Sequence, residues 1–111
     1  EPLPSPGLLA SHYAPAAPVL LRSAAEIRSD SARMRVVAIH HTPLDLPAST
    51  RSIRMPASAT GYAARLYAAL READAARPSA ILIERPAPAP PDTHIWLAIL
   101  DRLERAAAPR P

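Results

Sequence analysis

Arg22, His40, His41, Glu84 and Arg85 each stand at or just past the end of a short apolar run, where parallel strands would bring them to one rim. Imidazole and carboxylate are the groups that hold divalent metals or move protons near neutral pH, so His40, His41 and Glu84 are weighed first as a ligand set. Adjacent residues on a strand point to opposite faces, which parts the two imidazoles unless the strand has already ended. The expected outcome is a strand-end histidine with a local hydrogen bond and no metal, with His94 a solvated surface histidine. A second constellation lies in S5-P-G-L-L-A-S-H-Y-A-P15, where His12 and Tyr13 stand side by side in a proline-bracketed stretch. Nothing in that stretch can build a core of its own.

Other chemistry is missing from the pattern. The chain has no cysteine, no serine in a G-x-S-x-G elbow and no cluster of carboxylates, which argues against nucleophilic catalysis. Neither Gly7 nor Gly61 falls in a G-x-G-x-x-G or P-loop pattern, so backbone N–H groups have no glycine loop through which to approach a phosphate. A dinucleotide or nucleoside triphosphate site is therefore not expected in this domain.

The elements that must position these residues follow from the hydrophobic pattern. Pro2, Pro4, Pro6, Pro15 and Pro18 each fix φ and remove a donor, so residues 1–18 should form an extended, irregular linker. V19-L-L-R22 reads as a buried strand running into a helix, with Ser23 as N-cap and Glu26 completing a capping box. R35-V-V-A-I-H40 and A80-I-L-I-E84 are further buried strands, and S52-I-R-M55 is a weaker one. A helix spans T60 to R77, with Ala63, Leu66, Leu70 and Ala73 on its apolar face, Arg65, Glu72 and Asp74 turned away, and Pro78 ending it. A last helix runs from Asp92 or Thr93 to about Ala107, its apolar band through Ile95, Ile99 and Leu103 widened by Trp96, Leu97 and Leu100. Trp96 is open to two readings, a docking anchor or a core residue; Asp101, Arg102, Glu104 and Arg105 read as ion pairs on a solvated face. Strands alternating with helices imply an α/β chain folded as a small Rossmann-like three-layer unit, a mostly parallel sheet of about four strands with about three helices. Residues 1–18 form the linker and 19–111 the domain.

Composition narrows the class. At 111 residues the chain is one domain long and can bury roughly two thirds of its surface. Its basic residues are 13 arginines without a lysine, spread among 10 acids for a net charge of +3, so no basic block marks a nucleic-acid footprint. Without phenylalanine and with one tryptophan, the core must be mainly aliphatic. The longest apolar stretch, Ile95 to Leu100, is far short of the ~20 residues of a membrane span, and no signal sequence is visible, so a cytoplasmic protein without membrane contact is expected.

In their order and wording, S5-P-G-L-L-A-S-H-Y-A-P15, P18-V-L-L, Y62-A-A-R-L-Y-A-A-L-R-E-A-D74, A80-I-L-I-E84 and L97-A-I-L-D-R-L-E-R-A-A107 resemble the C-terminal portion of the long, two-domain form of L-threonylcarbamoyladenylate synthase. The resemblance covers nearly the whole chain. It implies a nucleotidyltransferase whose YrdC-type catalytic domain precedes this one and uses ATP, L-threonine and bicarbonate with a divalent metal, Mg, to release threonylcarbamoyl-AMP and pyrophosphate. The product would feed threonylcarbamoyladenosine formation at position 37 of tRNA, so tRNA and a downstream transferase machinery are indirect partners. On this resemblance the linker reaches back over the catalytic pocket as a lid, with Ser5, Pro6, Gly7, His12 and Tyr13 as its contacting residues. No catalytic residue and no cofactor would belong to the fragment itself.

The chain also departs from that family. Where many members carry Met-Lys-Tyr-Arg, it has Leu8-Leu9-Ala10-Ser11, which leaves His12 and Tyr13 as the polar groups of the lid. Where the family usually has glycines and Asn-Asp-Arg-Leu, it has His94, Trp96 and Leu100-Asp101-Arg102-Leu103. The alternative is a stand-alone module that binds protein or tRNA without catalysis. Glu1-Pro2-Leu3, with no initiator Met and nothing for residues 1–18 to pack on, favours a fragment of a longer chain.

Overall fold

Ser23 closes the first strand, β1 (Val19–Arg22), and opens the first helix, α1 (Ala24–Ser31), in the computed structural model, which describes residues 14–109. Its hydroxyl accepts the Glu26 N–H at 3.1 Å while the Glu26 carboxylate accepts the Ser23 N–H at 2.8 Å, the reciprocal box that the spacing predicts. The Ser23 backbone bond, aided by the hydroxyl, holds the Glu26 carboxyl below its usual range.

The chain continues through β2 (Val36–His40), β3 (Arg51–Arg54), α2 (Ala59–Ala75), β4 (Ala80–Glu84) and α3 (Thr93–Ala107). All four strands are parallel in the order β1-β4-β2-β3, so the last strand is inserted between the first two. Val19 pairs with Ile81 on one side of β4, and Val36 with Ala80 on the other. Alternation along the central strands divides the core in two. Val37, Ile39, Ile81 and Ile83 face α2 and α3 and meet Leu66, Leu70, Ile99 and Leu103. Val36, Ala38, Ala80 and Leu82 face α1 and meet Ile27. Both faces of β2 and β4 are thus covered, which is why their sequences are continuous apolar runs rather than alternating ones.

The connection from β2 to β3, residues 41–50, has no helix. Leu44 and Leu46 cover the α1 face in its place. The arrangement is a small Rossmann-like α/β fold in three layers.

Helix α2 starts at Ser58, whose hydroxyl accepts the Gly61 N–H at 3.1 Å. A Cβ on Gly61 would lie 2.7 Å from that hydroxyl oxygen and 2.9 Å from Pro56 Cβ, so the tight entry to the helix requires glycine there. At the far end Arg77 adopts φ 52°, and the Arg35 guanidinium donates to the Ala76 carbonyl at 2.8 Å and to the Arg77 carbonyl. Leu66, Leu70 and Ala73 are buried as their spacing predicts. Ala63 is only half-buried, and Tyr62 and Ala69 turn inward instead. The cause is the Tyr62 ring, which packs edge-on against Trp96 of α3 at 5.4 Å and rotates the buried stripe toward it. Trp96 is half-buried in that contact, while Leu97 beside it is 53% exposed. Among the described residues, no helix is long and apolar enough to cross a membrane.

Candidate functional site

Strands β2 and β4 end side by side at His40 and Glu84. The Glu84 side chain turns into the loop that follows β2, where Oε1 accepts the His41 N–H at 3.0 Å and the Thr42 N–H at 2.9 Å. Oε2 accepts the Thr42 hydroxyl at 2.6 Å. His41 Nδ1 lies 3.4 Å from Oε1, near enough to pair with it when protonated, but it makes no hydrogen bond. Burial pushes the Glu84 pKa up; the Thr42 hydroxyl, the two backbone N–H groups and the His41 ring outweigh it and bring the carboxyl below its usual range. Its oxygens are occupied, Oε1 by two backbone N–H groups and Oε2 by a hydroxyl, so Glu84 is a structural anchor for the helix-free crossover rather than a free general base.

Around this anchor the predicted rim divides. His40 is buried and its Nδ1–H donates to the Thr42 carbonyl at 2.6 Å, the local bond expected of a strand-end histidine, which also fixes the tautomer. Arg22 turns toward α1, donating to the Leu21 carbonyl at 3.0 Å and lying 3.8 Å from Asp30. Arg85 pairs with Glu104 of α3 at 3.1 Å, and His94 is exposed. The structure therefore brings His40, His41 and Glu84 together and sends both arginines to separate carboxylates. Among the described residues, no three histidine or carboxylate side chains are arranged to hold a metal.

Sequence reasoning overlooked the phenol behind the rim. Tyr62 is fully buried, with its ring edge-on to His41 at 6.3 Å and its hydroxyl without a hydrogen-bond partner. Burial, reinforced by the Glu84 charge, pushes its pKa well above the ordinary value, so it stays protonated at neutral pH. A groove of ≈ 400 Å³ opens beside this cluster between His41, Ser58, Pro90, Asp92 and Trp96. The helical period could have flagged Tyr62, since it lies four residues before Leu66 on one face.

The second region is the approach to β1. In A14-P-A-A-P18 the prolines leave two adjacent N–H groups, at Ala16 and Ala17, without a strand partner. Asp74 of α2 takes both: Oδ2 accepts from Ala16 and Oδ1 from Ala17, each at 3.0 Å. Pro15 and Ala17 are buried, and the Pro18 carbonyl accepts the Ile81 N–H at 2.8 Å. Asp74 reads from the sequence as an outward, solvated residue; the structure corrects this, because α2 passes beneath the incoming chain and makes that outward side a seat. The signal was the P-A-A-P spacing, which leaves two neighbouring donors in need of one bidentate acceptor. Ser5, Pro6, Gly7, His12 and Tyr13 lie outside the described residues. Ala14 stands on the rim of a second groove of ≈ 360 Å³ that runs between α2 and α3 past Tyr67 and Arg102.

No curated protein and no solved structure matches the chain. The family described as threonylcarbamoyl-AMP synthase, C-terminal domain, matches residues 1–108, which takes in both the proline-rich approach and all seven elements of the fold. With that match extending over nearly all of its length, the chain belongs to the family of threonylcarbamoyl-AMP synthase C-terminal domains.

Proposed function

We propose that the chain is the accessory domain of a protein that makes threonylcarbamoyl-AMP from ATP, L-threonine and bicarbonate, with release of pyrophosphate, for the threonylcarbamoyladenosine modification of tRNA at position 37. Residues 1–18 are the linker of that protein and serve as a lid over the pocket of a YrdC-type catalytic domain. ATP and Mg belong to the catalytic domain. The observation that carries this reading is the family match, which begins at residue 1 and so includes the linker with the folded domain. The rim is consistent with it, since the Glu84 oxygens are taken by Thr42 and His41 and the Tyr62 phenol stays protonated, which leaves neither of these two groups free to move a proton.

The physics of the linker suits a lid. Pro6, Pro15 and Pro18 reduce the entropy lost when it docks, and a lid that excludes water protects a labile carbamate intermediate. In the full-length protein, His12→Ala combined with Tyr13→Phe is expected to lower threonine-dependent pyrophosphate release roughly tenfold. Normal turnover in that variant would overturn the lid, and pyrophosphate release by the isolated chain would overturn its accessory role.

A further inference from the structure

We propose that the groove beyond the carboxyl ends of β2 and β4 is a binding site for a free α-amino acid, with the ligand carboxylate at the start of α2 and its ammonium group on Asp92. The groove holds ≈ 400 Å³ between His41, Ser58, Ala59, Pro90, Asp92 and Trp96, in the place where open parallel sheets take their ligands. Two polar ends of opposite sign line it. At one end is the entry to α2, where Ser58 Oγ accepts the Gly61 N–H and the Ser58 carbonyl accepts the Tyr62 N–H. The N–H groups of Ala59 and Thr60 are left without an acceptor among the described residues. The first turn of α2 holds no acidic residue, so nothing on the helix itself offsets its positive end.

A deeper donor stands behind that entry. Tyr62 is fully buried and its hydroxyl has no hydrogen-bond partner. Helical side chains lean toward the helix N-terminus, so the phenol of Tyr62, one turn after Ser58, is aimed at the entry to α2. Its ring meets two walls of the groove edge-on, His41 at 6.3 Å and Trp96 at 5.4 Å. A ligand carboxylate seated between those walls supplies the acceptor that the hydroxyl lacks. At the other end Asp92 is the N-cap of α3, yet its carboxylate makes no capping bond and pairs with no cation among the described residues. No arginine lines the groove, and its one fixed charge, Asp92, is negative, which disfavours a phosphate. A ligand that carries an ammonium and a carboxylate together matches both ends, and an α-amino acid is the smallest such class. The apolar surfaces of Trp96 and Pro90 receive its side chain.

Trp96 is the chain's one tryptophan, so its fluorescence reports on this groove. The common L-amino acids, each by itself, are titrated into the chain up to about 10 mM, enough to fill most of a site whose Kd is about 1 mM. At least one is expected to change the Trp96 emission saturably. For that amino acid, Tyr62→Phe and Asp92→Asn are each expected to weaken binding roughly tenfold, Tyr62→Phe without a fall in melting temperature and Asp92→Asn with the cap of α3 retained. The analogue that lacks the carboxylate and the analogue that lacks the amine should each bind at least roughly tenfold more weakly. Glu72→Gln, which breaks only the surface pair with Arg65 on α2, should bind as the wild type does. No saturable change with any amino acid would overturn the proposal. Unchanged affinity in either Tyr62→Phe or Asp92→Asn would place the ligand elsewhere and overturn it as well. Equal binding by the amine-free analogue would make the groove a site for simple carboxylates and sink the role of Asp92. Should Tyr62→Phe fail to fold, Asp92→Asn and the two analogues decide.

Discussion

Glu84 and Asp74 use one device in two settings. Each carboxylate accepts a pair of consecutive backbone N–H groups far away in the sequence, His41 and Thr42 in one case and Ala16 and Ala17 in the other. Glu84 is buried at the rim and also takes the Thr42 hydroxyl, so it holds a loop that closes back on the fold. Asp74 is half-buried and holds the proline-flanked approach to β1. The contrast teaches that burial decides what such a grip is worth. In a dry site an orphaned N–H is costly and the grip acts on stability, whereas at Asp74 the exposed Ala16 N–H can turn to water and only the Ala17 N–H is left stranded.

The comparison is most exposed at Glu84. Glu84→Ala strands two backbone donors and a hydroxyl, and is expected to cost about 3 kcal/mol in urea unfolding of this chain. A loss below about 1 kcal/mol would mean that water reaches the rim and would erase the distinction. Acid titration sharpens the same point. The Glu84 carboxyl sits below its ordinary pKa of 4.5, so its contribution is fully present above that value and is lost as pH falls through the folded-state pKa. The stability gap between wild type and Glu84→Gln should therefore be widest near neutrality and narrow below about pH 4.5.

Asp74→Ala, in the same urea experiment, should lose only about 1 kcal/mol. A loss equal to that of Glu84→Ala would make the two grips equivalent. The smallest effect is expected at Tyr62, where the buried group is a hydroxyl without a partner. Tyr62→Phe removes it at little change of shape and should be neutral or stabilising by up to ~1 kcal/mol. A destabilisation of more than about 1 kcal/mol would show that the hydroxyl is bonded in solution.

Much of the fold was legible because it is written in short-range patterns. The apolar runs at Val19, Val36 and Ala80, the period of α2 and α3, and the S23-A-A-E26 box all act between residues a few positions apart, and each element lies within a residue or two of where its pattern puts it. The local bond of His40 was equally legible, since its partner is Thr42. Less of the candidate site could be read. Arg22 and Glu84 end neighbouring strands, yet Arg22 went to Asp30 because α1 carries that acid back to the rim beside it. Tyr62 was passed over because a tyrosine next to the expected stripe looks amphipathic until Trp96 arrives to cover it.

By itself the sequence determined the elements, their caps and the proline-flanked donor pair at Ala16 and Ala17, because strand, helix and turn preferences are settled by neighbours along the chain. The tertiary structure alone decided that β4 enters between β1 and β2, that Glu84 locks the loop after β2, and that Asp74 holds the approach to β1 at Ala16 and Ala17. The Asp74 grip joins positions 58 and 57 residues apart, and the Glu84 grip positions 43 and 42 apart. At such separations a donor and an acceptor meet only after the helices have packed on the sheet, and no local pattern records which acceptor will arrive.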